Sequence, residues 1–217
     1  MTTHLLDQGP KAGQAGTAEE SDKRRAILDG ARSVFRSEGF AGASMGRIAQ
    51  VAGVSKGTLY VYFENKEALF RDLVIADKAE AAERICNDLS DGADLAESLQ
   101  GIGERFVRMM VEPDHIQLLR MVIGAAEKFP EVGHAFYEAG PANGIARFAA
   151  YLQRQEAAGR LDLNGEPELA AAHFLNLAQG NLAKKILFGV METPESAEIS
   201  RTVSSAVRLF LRAYGTA

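Results

Sequence analysis

The chain is poor in the residues that staple, break or span a fold. It has a single cysteine, Cys86, so an internal disulfide framework is excluded and a reducing compartment is the expected setting. No apolar run approaches the roughly 20 residues that a membrane-spanning helix needs. The N-terminus also lacks the basic stretch and apolar core of a secretory signal, so the expectation is a cytoplasmic protein with no membrane partner. No alternating apolar pattern of useful length and no internal repeat is present, which argues against sheets and solenoids. The signatures of chemistry are missing too. There is no glycine-rich phosphate loop followed by Lys-Ser/Thr, no nucleophile elbow and no Cys–His pairing. Among His4, His115, His134 and His173, no spacing brings two onto one helical turn, so a metal site is not expected. These absences leave no catalytic residue, no metal and no cofactor, and they place an enzyme well behind a binding protein.

What remains is the composition of an ordinary globular chain. It has 217 residues, 47% hydrophobic and 24% charged, enough for one or two domains with real cores. The net charge of −5 is unevenly spread. Residues 22–71 carry nine basic groups against five acidic ones, while residues 1–21 and 72–217 are both acidic. A basic block on an acidic body is the asymmetry expected when one part alone touches phosphates.

The helical periodicity begins within that block. Residues 1–21 have no periodic apolar pattern and no arginine, and read as a disordered, solvated arm. Ile27, Ala31, Val34 and Phe35 form one stripe on a helix over 22–38, ended by Gly39. Ser44 and Ser55 stand where N-caps belong, on either side of a turn at Gly53. The spacing predicts two short helices, the first with Met45, Ile48, Ala49 and Ala52 inward and the second anchored by Leu59 and Phe63. A long helix follows from about residue 65 to 89, with the domain junction near Arg71. The remaining helices are expected at 94–111, 114–128, 132–139, 143–158, 167–188 and 195–214, with breaks at Pro113, Pro130, Gly140-Pro141, Gly159, Gly165 and Pro194. The expected architecture is therefore all-α: a three-helix helix-turn-helix head over 22–71, joined by a long helix to a helical bundle over 72–217, in about nine or ten helices.

A helical wheel of about 100° per residue puts Gly57, Thr58 and Val61 opposite the inward pair Leu59 and Phe63. Such small outward residues suit a helix that approaches the floor of a DNA major groove, with Thr58 offering a hydroxyl and Val61 a methyl surface for a thymine. Lys56, Tyr60 and Tyr62 flank them and can reach phosphates. Arg47 and Gln50 on the preceding helix, the caps Ser44 and Ser55, and Lys66 at the start of the long helix complete the candidate DNA-binding set. The alternative is a plain helical hairpin with a solvated face.

Residues 27–70 resemble the N-terminal DNA-binding domain of the tetracycline-repressor (TetR) family of bacterial transcription regulators. The residues that carry the likeness are Ser44, Ile48-Ala49, Ala52-Gly53-Val54-Ser55, Gly57, Leu59-Tyr60, Tyr62-Phe63 and Lys66. Phe129-Pro130-Glu131, Phe136-Tyr137, Gly140-Pro141 and residues 174–180 resemble the AefR- and AcrR-like branch of that family. The resemblance implies a homodimer that binds a near-palindromic double-stranded operator, a repressor by family default, with a small effector in the C-terminal domain that releases the DNA. It also implies that Ser44, Lys56, Gly57, Tyr60, Tyr62 and Lys66 contact DNA, while Thr58 and Val61 occupy variable positions.

Two further sets follow from pattern. Phe106, Met109, Met110, His115, Met121, Phe136, Tyr137, Phe148 and Tyr151 are candidate walls of a pocket for a lipophilic effector, with plain core as the competing role. Phe174, Leu177, Leu182, Val203, Val207 and Phe210 lie on the last two helices, which are apolar enough to form a dimer interface or to fill a monomer's core. A regulator without an effector and a helical protein-binding adaptor remain the alternatives.

Overall fold

The computed structural model describes residues 12–86 and 94–216. Its regular structure there is helical, apart from one isolated bridge between Leu161 and Gly215. The helices are α1 (Ala12–Gly42), α2 (Met45–Val51), α3 (Lys56–Tyr62), α4 (Lys66–Cys86), α5 (Leu95–Val111), α6 (Pro113–Ala126), α7 (Pro130–Tyr137), α8 (Asn143–Ala157), α9 (Pro167–Gln179), α10 (Leu182–Leu187) and α11 (Ser196–Tyr214). A π-helical segment, Glu138–Ala142, joins α7 to α8. The chain divides into two compact units that meet inside α4, between Leu73 and Val74.

The first unit follows the expected pattern with one correction. Residues 1–11 of the anticipated disordered arm lie outside the described residues, but from Ala12 the backbone is already helical. The run 17–25 is made of good helix formers with no proline, so the helix extends upstream of the apolar stripe that betrayed it. Gly39, with φ 69°, kinks α1. Phe40 then turns back so that its ring stacks on Phe35 at 5.8 Å and meets Phe70 of α4 edge-on at 5.1 Å. Ile27, Ala31, Phe35, Ile48, Leu59, Leu69 and Phe70 are fully or almost fully buried, and together they form a core shared by four helices. Arg24 of α1 closes it from outside, pairing with Asp72 at 3.0 Å and lying 5.6 Å from the Phe63 ring.

The second unit is built around α9. Phe174 meets Phe148 of α8 at 5.2 Å and Phe210 of α11 at 5.3 Å. Leu99, Ile102 and Val107 of α5 join the same cluster. A polar seam runs beside it: Gln100 donates to the Ser200 carbonyl at 3.2 Å and accepts from Ser204 Oγ at 3.0 Å, tying α5 to α11. Hydrogen bonds from Gln100 and Arg108 hold the Glu104 carboxyl below its ordinary value, against a partial burial that acts the other way.

Two of the expected boundaries need correcting here. The single helix over 167–188 is two, because Gly180 adopts φ 49° and ψ −126°, a backbone state that stops α9 and starts α10. The break at Gly140-Pro141 is not a break. Proline cannot serve as a donor in a regular α-helix, and the chain accommodates it by widening to a π-segment, so α7 runs on into α8.

Candidate nucleic-acid interface and effector cavity

The head presents its helix-turn-helix through local, short-range causes. Ser44 Oγ accepts from the Arg47 N–H at 3.2 Å and caps α2. Ser55 Oγ accepts from the Thr58 N–H at 3.0 Å and caps α3. Between them Gly53, at φ 68°, lets the Val54 N–H bond back to the Ala49 carbonyl at 3.0 Å, which sets the turn. Leu59 and Phe63 are buried, and this fixes which face of α3 is turned out.

That outer face is the one the periodicity calls for. Val61 is 82% exposed, which leaves its methyl surface on the outer face of α3. Gly57 is exposed, and a Cβ built there would meet nothing closer than Ser55 Oγ at 3.7 Å. No packing within the protein therefore demands glycine at this position. Tyr60 is exposed on one flank and Tyr62 half-buried on the other. Thr58 Oγ1 lies 2.9 Å from Ser55 Oγ, so its hydroxyl is oriented by the cap. Lys56 is exposed, with its stem folded over Gly46 of α2: a Cβ on Gly46 would meet Lys56 Cε at 2.8 Å. Arg47 is held between Glu38 at 3.1 Å and Gln50 at 3.0 Å, which orders its guanidinium beside the α2 surface.

Lys66 sits differently. Its ammonium donates to the Phe40 carbonyl at 2.7 Å and the Ala43 carbonyl at 3.1 Å, and lies 4.6 Å from the Phe40 ring. It satisfies carbonyls left free at the end of α1, so it ties α4 to the α1–α2 corner. Lys66→Ala should lower the stability of the chain by about 1–3 kcal/mol, because buried charge-assisted hydrogen bonds are lost. Urea melts check this. An undiminished midpoint, together with a salt slope of DNA binding reduced by about one, would return Lys66 to a phosphate role alone.

In the second unit a cavity of about 260 Å³ opens between α5, α6, α8 and α9. Six of the nine expected wall residues line it: Phe106, Met109, Met110, His115, Phe136 and Phe148. Three do not. Tyr151 is buried in the core and stacks on Phe148 at 6.1 Å, one helical turn further along α8. Tyr137 follows Phe136 and is rotated by about 100°, which leaves it 54% exposed. Met121 is two residues past the lining residue Leu119 and so faces away from the cavity. The reading also missed Gly144, Ile145, Leu175, Asn176 and Gln179, all in the wall. A signal was available: Asn176 and Gln179 are a polar pair at i, i+3 spacing in the last, mostly apolar turns of α9.

Five of the six anticipated dimer residues are core residues. Phe174, Leu182, Val203, Val207 and Phe210 are buried in the protomer's own core, while Leu177 is exposed. A second copy cannot reach those five without opening the fold. The apolar side chains left outside on α9 and α11 are Leu169, Leu177 and Leu209.

An all-α chain with a capped helix-turn-helix, small residues on the outer face of its second helix, and a separate helical unit with an apolar cavity has the build of a helix-turn-helix transcription regulator. Comparison with known proteins gives the particular family. Residues 27–73 match the family described as bacterial regulatory proteins, tetR family. Residues 97–216 match the AefR-like transcriptional repressor, C-terminal domain. The chain belongs to the TetR family of bacterial transcription regulators, with a C-terminal domain of the AefR-like type. Among solved structures, one from Mesorhizobium loti assigned to the TetR family superposes with a TM-score of 0.83 at 30% identity, over 90% of this chain and 98% of that one. The Flavonoid-responsive Regulator FrrA superposes with a TM-score of 0.79 at 32% identity, again over 90% and 98%. The HTH-type transcriptional regulator UidR of Escherichia coli (strain K12) is 36% identical over 94 residues, 43% of this chain and 42% of that protein. The chain thus aligns with less than half the length of that curated relative. No helix among the described residues is long and apolar enough to cross a membrane.

Proposed function

We propose that this regulator binds a near-palindromic double-stranded DNA operator as a homodimer, represses the adjoining genes, and is released by a small, largely apolar effector held in the second unit. The observation that carries the DNA reading is the outer face of α3, where Gly57 is open and Val61 is 82% exposed. These residues and Thr58 read base edges in the major groove, and Lys56, Tyr60, Tyr62 and Arg47 hold the backbone. The charge asymmetry of the chain supports that polarity, since the basic block coincides with the head.

The effector reading rests on the apolar cavity and on the π-segment in its wall, a helix irregularity that recurs at functional sites. FrrA is named for its response to flavonoids, and a ligand of comparable aromatic character fits walls made by Phe106, Phe136 and Phe148. Dimerisation falls to the outer face of α9 and α11, where Leu177 and Leu209 are exposed beside Thr202 and Ser205.

A selected-site DNA screen followed by gel shift tests the reading. A single symmetric sequence, bound by two chains with an affinity that falls steeply with salt, is expected. Binding of random duplexes as tightly as selected ones would sink it.

A further inference from the structure

We infer that the cavity of the second unit is selective for uncharged aromatic molecules of two or three rings, and that Gly144 on α8 is the residue that keeps room for them. The inference rests on the effector reading above and adds the ligand's class and the gatekeeping position.

The charge selectivity comes from the wall. Among the described residues that line the cavity there is no Lys, Arg, Asp or Glu. An ammonium entering it would leave water without gaining an ion partner, which buried charges require, and a carboxylate would find no permanent cation. The polar side chains at hand are the His115 imidazole, the one titratable group in the wall, and two neutral amides. Asn176 donates to the Ala172 carbonyl at 2.9 Å, and Gln179 donates to Asn176 Oδ1 at 3.4 Å. Such a pair can orient a hydroxyl or carbonyl on the ligand, as the few convergent polar groups of an apolar site commonly do. Phe106, Phe136 and Phe148 with Met109 and Met110 favour ring faces and edges over flexible chains. At about 260 Å³ the space exceeds the ~150 Å³ apolar cavity that accommodates one benzene ring.

Gly144 supplies the second, independent observation. It lies within α8, where alanine is favoured over glycine, and it is half-buried. A Cβ built on it would meet no atom of the described residues within 4 Å, yet the residue lines the cavity. The missing side chain is therefore not explained by close packing of another helix. It leaves open a volume that only a ligand or water fills. Gly140, one turn earlier and within the π-segment, lines the same wall.

The test uses the full chain and two fluorescent probes that differ by one sulfonate: neutral N-phenylnaphthylamine and anionic anilinonaphthalene sulfonate. The neutral probe should bind saturably, at one site per chain, and at least tenfold more tightly than the anion. Gly144→Leu should weaken the neutral probe tenfold or more while the thermal midpoint stays equal or rises. Gly144→Ala, which adds one methyl to open space, should raise the midpoint and weaken the probe a few-fold, and it answers the question if the leucine variant misfolds. Equal affinity for both probes would overturn the charge selectivity, and unchanged affinity in both variants would overturn the role of Gly144. Gel shifts with the same samples separate the two readings. A probe that binds the wild-type chain and is lost in Gly144→Leu, but leaves operator affinity unaltered, overturns the effector reading and leaves the cavity assignment standing.

Discussion

Gly57→Leu should abolish specific operator binding while the head stays folded. The fold has no objection to a side chain at this position, because a Cβ there meets only Ser55 Oγ at 3.7 Å. The objection comes from the groove. A leucine on the outer face of a seven-residue helix holds the backbone several ångströms from the base edges, and Thr58 and Val61 lose their reach together. The whole increment between specific and non-specific binding, about 4–10 kcal/mol, is then at stake. Gly57→Ala gives the sharper diagnosis because two readouts move in opposite directions. Alanine in a helix should stabilise the chain by about 0.5–1 kcal/mol, while the operator affinity falls. Urea melts and gel shifts at one fixed salt concentration measure the two sides. A footprint retained by Gly57→Leu would mean that α3 does not face the groove.

The head was legible in the sequence because its determinants are local. Ser44 and Ser55 cap within three residues of their targets, Gly53 sets the turn alone, and Leu59 and Phe63 lie one turn apart. Each of these can be read from a window of a few residues. The corner contact made by Lys66 was hidden for the opposite reason. Its partners, the carbonyls of Phe40 and Ala43, are 26 and 23 residues away and are available because α1 ends at Gly42. A lysine near a helix-turn-helix reads as a phosphate contact until that corner is seen.

The second unit was legible only as helices. The many apolar residues of α9 state that the helix is largely buried, not what buries it; here α5, α8 and α11 of the same chain cover one side and leave Leu169 and Leu177 outside. Phe148 and Tyr151 are three residues apart with similar chemistry, yet one lines the cavity and the other is sealed in the core. That distinction depends on which helices pack on each side of α8, and periodicity does not encode it. The π-segment was equally hidden. Gly140-Pro141 reads as a break, and it is the continuing α7–α8 connection that lets the helix carry proline and still present Gly140 to the cavity.

The neighbours Leu209 and Phe210 separate folding from assembly. Phe210 is 1% exposed, with its ring 5.3 Å from Phe174 and 4.8 Å from Tyr214. Phe210→Ala removes a buried ring from the centre of the second unit and should cost about 3–5 kcal/mol, the range for such truncations in a packed core. That is a large share of the roughly 5–15 kcal/mol that holds a domain together. A fall in the urea midpoint at unchanged slope, measured at one protein concentration so that association does not confound it, is the expected result. A loss below about 1 kcal/mol would contradict the burial of that ring. Leu209, 49% exposed on the next position round α11, should behave in the reverse way. Leu209→Asp replaces an apolar side chain on the face assigned to the second copy with a hydrated carboxylate, which is costly to desolvate. The protomer should melt as before, because nothing in its core is touched, while sedimentation equilibrium shifts from dimer to monomer. Operator affinity should fall with it, since two heads on one near-palindrome bind through each other's presence. A Leu209→Asp chain that remains dimeric would move the interface away from α9 and α11. The exposed Phe188 and Val190 after α10 would then be the next apolar surface to test.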